Sequence, residues 1–264
     1  MCLILLSYKQ HPVYPLVFAA NRDEFYDRPT APASFWENRP DLLAGRDLKE
    51  GGTWLGITRG GRMAALTNYR GPASLKLQAP SRGWLVRDYL CSQEHTDRYL
   101  KKLEKQADQY NGFSVILGDP FHLYYFSNRN GAVELTPGLY GLSNASLNTP
   151  WPKVERGKLQ IGALLSQTGE PLPEDMFSIL KDQARPEDNQ LPDTGIGLEW
   201  ERILSSMFIT SPVYGTRSSS VLLVDSHRRV TFVERIYNGG SAPWVTAKIQ
   251  FTITGEGDAQ SVET

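Results

Sequence analysis

The chain of 264 residues carries 28 Lys and Arg against 29 Asp and Glu, a formal net charge of -1, and so lacks the basic footprint of a nucleic-acid binder. Its two cysteines, Cys2 and Cys91, do not make a disulfide scaffold at this length, and its four histidines, His11, His95, His122 and His227, show no metal-ligand spacing. No Walker or dinucleotide glycine motif occurs, so the sequence implies neither a metal nor a cofactor, and its cysteine usage fits a reducing cytoplasm.

In chain order, Met1 is followed by Cys2 and a short apolar run, Leu3-Ile4-Leu5-Leu6, ending at Ser7-Tyr8-Lys9. This run is too short for a membrane span and lacks the charged start of a signal sequence, so stable membrane insertion is not expected. Alternation groups Cys2, Ile4 and Leu6 on one face of a strand and Leu3 and Leu5 on the other; both faces are apolar, as in a strand covered on two sides. Residues 13–20 form a second apolar run, separated from the first by Lys9-Gln10-His11-Pro12, the spacing of a hairpin. That run leads into Asn21-Arg22-Asp23-Glu24.

Residues 28–50, which begin Arg28-Pro29-Thr30-Ala31-Pro32, read as an irregular surface excursion. Residues 51–58 and 63–69 flank Arg59-Gly60-Gly61-Arg62 and predict a second hairpin. Ser81 is placed to cap a helix running to about Cys91, with Trp84, Leu85, Tyr89 and Leu90 on its apolar stripe, and a second helix covers roughly 96–108. Strands follow at 113–117, 122–127 and 132–135, with Asn130-Gly131 as a tight turn. Helical segments at about 152–167, 173–182 and 198–206, with a loop at 183–197, precede strands near 215–224, 230–237 and 247–253. The polar tail, residues 255–264, reads as frayed. Hairpins without regular βαβ alternation predict one α+β domain over residues 1–264, with two antiparallel sheets flanked by helices.

The chemistry centres on the N-terminus. Trimming of Met1 would leave Cys2 with both a thiol nucleophile and an α-amine, which titrates near ~8 and can take a proton around neutral pH. Position alone favours the plainer reading, a small buried hydrophobe, over the nucleophile. In an extended strand Asn21 and Asp23 share one face and Arg22 and Glu24 the other, so one of the two pairs faces Cys2. If Asp23 does, Arg22 and Glu24 read as a structural ion pair. Arg22 either lowers the thiol pKa by its charge or supports the loop after the strand. Trp54 and Tyr69 are pocket walls or plain core, and Cys91 reads as structural.

The tetrapeptide behind a Met-Cys start resembles the NRDE-motif family, also called the transport and Golgi organisation family. The resemblance extends over nearly the full length through Gly51-Gly52-Thr53-Trp54-Leu55-Gly56, Leu66-Thr67-Asn68-Tyr69-Arg70, Gly141-Leu142-Ser143-Asn144 and Tyr214-Gly215-Thr216-Arg217-Ser218-Ser219. That family in turn resembles a branch of the N-terminal-nucleophile hydrolases, near penicillin V acylase and bile salt hydrolase. The resemblance implies a four-layer αββα sandwich and hydrolysis of an amide or thioester bond of a small acyl substrate. In it Cys2 is the nucleophile, Asp23 holds the thiol and amine, and Asn68 and Asn144 are oxyanion donors. Arg22, Arg217, Trp54 and Tyr69 are substrate-binding candidates, Arg217 finding its partner in Asp23, Glu24 or an anionic substrate group. The acylases carry their arginine a few residues before the aspartate, whereas Arg22 stands beside Asp23. The family also implies an alternative: a non-catalytic haem or lipid binding and trafficking protein using the same cleft, with Cys2 as an axial ligand.

Overall fold

A computed structural model of the chain describes residues 3–71, 75–167, 170–237 and 245–254. Cys2 and the tail at 255–264, and with them the expectations placed on them, lie outside the described residues. The chain opens with strands β1 (Leu3–Tyr8), β2 (Leu16–Phe25), β3 (Thr30–Trp36), β4 (Arg39–Asp47), β5 (Leu55–Thr58) and β6 (Met63–Asn68). Helices α1 (Gly83–Cys91) and α2 (Thr96–Gln106) follow, then β7 (Phe113–Asp119), β8 (His122–Ser127), β9 (Gly131–Glu134) and β10 (Gly138–Leu142). Helices α3 (Pro152–Leu165), α4 (Pro173–Leu180) and α5 (Leu198–Ile203) lead to β11 (Tyr214–Val224), β12 (Arg229–Ile236) and β13 (Val245–Thr252).

These strands form two antiparallel sheets, ordered β10-β1-β2-β11-β12-β13 and β3-β4-β5-β6-β7-β8-β9. Three apolar layers hold them. Ile4, Leu6 and Phe18 meet Ile57, Met63 and Ile116 between the sheets. On the outer side of the first sheet Leu3, Leu5, Val17 and Ala19 pack on Ile161 of α3 and Phe177 and Leu180 of α4. On the outer side of the second, Leu85 and Val86 of α1 and Leu103 of α2 cover Phe113 and Val115. The result is the expected αββα sandwich, and the two apolar faces of β1 feed two different cores. Truncating such a buried leucine to alanine costs about 2–5 kcal/mol. The fit over β1 is close: a Cβ at Gly157 of α3 would lie 2.8 Å from Leu5 Cδ1, so a larger residue there would push the helix off the strand.

Several elements differ from the sequence reading. The stretch 28–50 is not irregular but contains β3 and β4, and β3 is an edge strand with register shifts between Ala31 and Ser34 and between Phe35 and Trp36. An edge with bulges is where a strand tolerates a proline such as Pro32. The glycine-rich β10 is an additional edge strand on the first sheet, pairing Ile4 with Leu142 and Tyr8 with Gly138. Ser81 does not cap α1. The cap position is Arg82, without a side-chain bond, and the Ser81 carbonyl accepts the Trp84 N–H at 3.1 Å. Strand β2 runs on past residue 20 to Phe25 and so carries the whole tetrapeptide. No described helix is long and apolar enough to cross a membrane.

Candidate functional site

The start of β1 lies beside the tetrapeptide of β2, with Leu3 paired to Asn21. On its other side β2 pairs with β11: Asn21 with Ser219, Arg22 with Ser218 and Asp23 with Thr216, leaving Arg217 as the extra residue of a bulge. The tetrapeptide keeps the alternation of an extended strand, and its two faces do different things.

On the helix-covered face, Asn21 is fully buried. Its Nδ2 donates to the carbonyls of Leu180 at 2.9 Å and Met207 at 2.8 Å, and its Oδ1 accepts from Ser219 Oγ at 2.6 Å. Asp23 accepts at Oδ1 from Thr216 Oγ1 at 2.7 Å, and Thr216 Oγ1 accepts the Ile209 N–H at 2.9 Å. Asp23 is thus fixed by a hydroxyl that is itself fixed by backbone.

On the inter-sheet face, Arg22 is 5% exposed and its guanidinium carbon lies 4.2 Å from the centre of the Trp54 ring. Its Nη1 has no hydrogen-bond partner among the described residues. Burial pulls its pKa below the ordinary arginine value; Glu24 and Asp47 oppose this, while Arg217 and Arg28 add to it. The Arg22–Glu24 ion pair read from the sequence is not formed. Glu24 instead approaches Arg28, at 3.8 Å, and Arg28 bonds Asp47 at 2.6 Å. Nor does Arg217 meet a carboxylate: its Nη1 donates to the carbonyls of Phe25 at 2.8 Å and Arg28 at 3.1 Å, tying down the turn that follows β2. The bulge at Arg217 re-aims that side chain.

A cleft of about 250 Å³ opens over this face, lined by Arg22, Glu24, Trp54 and Asn68 and walled by Ser81, Arg82 and Gly83 at the start of α1. The helix comes this close because Gly52 and Gly83 touch through their backbones: a Cβ on Gly52 would lie 2.6 Å from the Gly83 carbonyl carbon. Tyr69 lines a second, adjoining cleft of about 620 Å³, with Tyr110, Asn128 and Arg129, and the two clefts share Arg82 and Asn111. The two candidate asparagines come together from different sheets. Asn68 ends β6, Asn144 follows β10, and Asn144 Nδ2 donates to the Asn68 carbonyl at 2.9 Å. The described part of the site therefore brings Arg22, Trp54 and Asn68 to one cleft and Asn144 to Asn68. Asp23 lies on the opposite face of β2, Arg217 acts on the turn, and Tyr69 faces the neighbouring cleft.

One buried group escaped the sequence reading. Glu234 on β12 is 1% exposed and accepts the Ala33 N–H of β3 at 2.7 Å, so it bridges the two sheets. Burial pushes its carboxyl pKa up, against the Ala33 N–H, the Ser218 hydroxyl and the charge of Arg22. The available signal is its parity with Val230 and Phe232, both on the inter-sheet face. Cys91 is partly exposed, and burial pushes its thiol pKa up, which keeps it from being a reactive thiolate. Among the described residues no group of three or more His, Cys, Asp and Glu side chains is disposed to hold a metal ion.

Two antiparallel sheets between helical layers make this an N-terminal-nucleophile-hydrolase-like fold. Among solved structures, the Caenorhabditis elegans N-acylethanolamine-hydrolyzing acid amidase ortholog superposes with a TM-score of 0.52 at 11% identity, over 84% of this chain and 92% of that one. A single-residue variant of conjugated bile acid hydrolase from Clostridium perfringens does so with a TM-score of 0.51 at 9% identity, over 96% of this chain and 98% of that one. At such identities the likeness is one of fold. The chain belongs to the Transport and Golgi organisation 2 family, which it matches over residues 1–239. The Homo sapiens protein named transport and Golgi organization protein 2 homolog is 40% identical over 276 residues, covering 96% of this chain and 99% of that protein.

Proposed function

We propose that this protein is an N-terminal-cysteine hydrolase that cleaves an amide or thioester bond of a small acyl molecule once Met1 has been removed. The observation that carries the reading is the pairing of Leu3 with Asn21, which sets the start of β1 against the tetrapeptide, in a fold shared with an acid amidase and a bile acid hydrolase. Sequence alternation groups Cys2 with Ile4 and Leu6, and those two side chains lie in the inter-sheet layer with Trp54. Cysteine usage favours a cytoplasmic setting.

In this reading the Cys2 α-amine, directly or through a water, takes the thiol proton, and the sulfur attacks the acyl carbon. Asn68 and Asn144 donate to the oxyanion, and loss of one such donor slows the reaction by about 10²-fold or more. The intermediate collapses with cleavage of the carbon–nitrogen or carbon–sulfur bond, and the proton passes from the amine to the leaving group. Water then hydrolyses the thioester, releasing the acid and restoring Cys2. Arg22 and Glu24, not Asp23, share the inter-sheet face to which alternation assigns the Cys2 thiol, so Asp23, held by Thr216 on the other face of β2, serves the α-amine at the strand end rather than the thiol. Arg22 offers its Nη1 to the substrate or the thiolate, Trp54 and Tyr69 contact the substrate in the two adjoining clefts, and Arg217 supports the pocket through the turn after β2.

Intact-mass measurement on the purified chain, before and after exposure to a panel of acyl amides and thioesters, tests this. The expected result is loss of Met1 and an acyl adduct on Cys2; Met1 retained on the folded protein removes the α-amine mechanism. The competing reading, a haem or lipid carrier, has in its favour the transport and Golgi organization names of the relatives. Haem titration of wild type and Cys2→Ala separates the two: thiol-dependent binding without any acyl adduct favours the carrier.

A further inference from the structure

Arg70, two residues beyond Asn68, is the hub of a buried network that none of the roles above uses. Its side chain is 9% exposed and its Nη1 donates to Glu201 Oε2 of α5 at 2.8 Å, the Glu201 side chain being 4% exposed. Its Nη2 donates to Asn144 Oδ1 at 3.2 Å, and its backbone N–H to the Asn144 carbonyl at 2.6 Å. Glu201 Oε1 in turn accepts the N–H of Thr194 at 2.8 Å and its hydroxyl at 2.5 Å. The guanidinium carbon lies 5.0 Å from the centre of the Trp151 ring, which covers it.

The consequence falls on the Asn144 amide. A guanidinium can only donate and a carbonyl can only accept, so Arg70 at one end and the Asn68 carbonyl at the other permit one orientation of that amide. With Oδ1 and one Nδ2 hydrogen fixed, the plane of the amide is fixed too. Arg70 alone would not give this precision, because a lone long side chain is mobile. Its second nitrogen is held by Glu201, and Glu201 is held by the backbone at Thr194. The fork of an arginine, with two donors in one rigid plane, can serve two acceptors at once, which a lysine head on a flexible stem does less well.

We propose that Arg70, braced by Glu201, is the positioning residue for the Asn144 amide, linking the 194–201 segment to the oxyanion site. This rests on the hydrolase reading above. Arg70 touches neither the substrate nor Cys2 in this role; it sets the direction in which Asn144 donates.

The test uses p-nitrophenyl acetate as acyl donor to the full chain: the Cys2 sulfur–acyl bond forms as the ester bond breaks and p-nitrophenolate leaves. Iodoacetamide is the control, because it alkylates a thiolate at a saturated carbon and forms no oxyanion. Removing Arg70 alone strands the buried Glu201 charge, so the main variant is the charge-balanced Arg70→Met/Glu201→Leu. It is expected to slow acylation by about tenfold or more, to leave alkylation of Cys2 unchanged, and to add nothing to the defect of Asn144→Ala. Arg70→Lys and Glu201→Gln, which keep more of the packing, are expected to slow acylation less and alkylation not at all, and they carry the comparison if the double variant does not fold. Wild-type acylation rates in these variants, equal slowing with both reagents, or defects that multiply with Asn144→Ala would overturn the proposal. Failure of the hydrolase reading looks different: wild-type Cys2 is alkylated by iodoacetamide but gains no acetyl group from the ester, and both inferences fall together.

Discussion

The two faces of Asn21-Arg22-Asp23-Glu24 contrast sharply in how their polar groups are satisfied. Asn21, on the helix-covered face, makes three buried hydrogen bonds to α4, to Met207 and to β11, and Asp23 shares that face with a hydroxyl partner. Arg22, on the inter-sheet face, is almost as buried, yet its Nη1 has no partner among the described residues and it rests on the Trp54 ring beside a cleft. An unpartnered buried donor costs about 1–3 kcal/mol. A fold that keeps one spends stability on something other than folding. Asn21 therefore belongs to the scaffold and Arg22 to the cleft, although they are adjacent in one motif.

The largest expected effect breaks the scaffold side. Asn21→Leu keeps the number of side-chain heavy atoms but orphans the carbonyls of Leu180 and Met207 and takes one partner from the Ser219 hydroxyl, so urea denaturation should show a loss of about 3–5 kcal/mol. A loss below about 1 kcal/mol would mean that those groups find other partners and that the contrast is false. Arg22→Met is expected to behave oppositely. It removes a desolvated, incompletely bonded cation and keeps an apolar side chain against Trp54, so stability should change by no more than about 1 kcal/mol. Acylation of Cys2 by an activated ester should nevertheless fall by about tenfold or more if Arg22 acts on the thiolate or substrate. Large destabilisation with unchanged acylation would move Arg22 to the scaffold side.

That division was half legible in the sequence. Strand parity separates Asn21 and Asp23 from Arg22 and Glu24, because alternation is a local property of extended chain. That β1 is covered on both sides was legible for the same reason, since its two apolar faces meet two cores, whereas the four-layer sandwich followed from the family resemblance. Ion-pair partners were not legible. Glu24 turns to Arg28 and Arg217 to two backbone carbonyls, because a bulge opposite Asp23 re-aims the β11 side chain and a turn brings Arg28 back over β2. Strands β3 and β10 were hidden by Pro32 and by Gly138 and Gly141, residues that weaken a strand pattern but are tolerated at sheet edges. The meeting of Asn68 with Asn144 depends on how two sheets pack, which no local pattern encodes.

The smallest predicted effect concerns Glu234, which stands behind Arg22 on the same inter-sheet face, and its sign discriminates between two accounts of that layer. Burial raises its pKa above the ordinary 4.5, so the folded state holds the proton more tightly than the unfolded chain. Its contribution to stability is then fully present below pH 4.5 and is lost as pH rises through the raised folded value. Glu234→Gln removes this titration while leaving a carbonyl oxygen able to accept the Ala33 N–H. Compared by urea denaturation, the variant should match wild type at the acid end and become the more stable protein as pH rises, with the gain levelling off once wild-type Glu234 is ionised. If the opposite holds and wild type gains on the variant with rising pH, the Glu234 carboxylate is stabilised in the folded state more than burial penalises it. Arg22 would then be its counter-charge, and the arginine assigned to the cleft would belong to the scaffold.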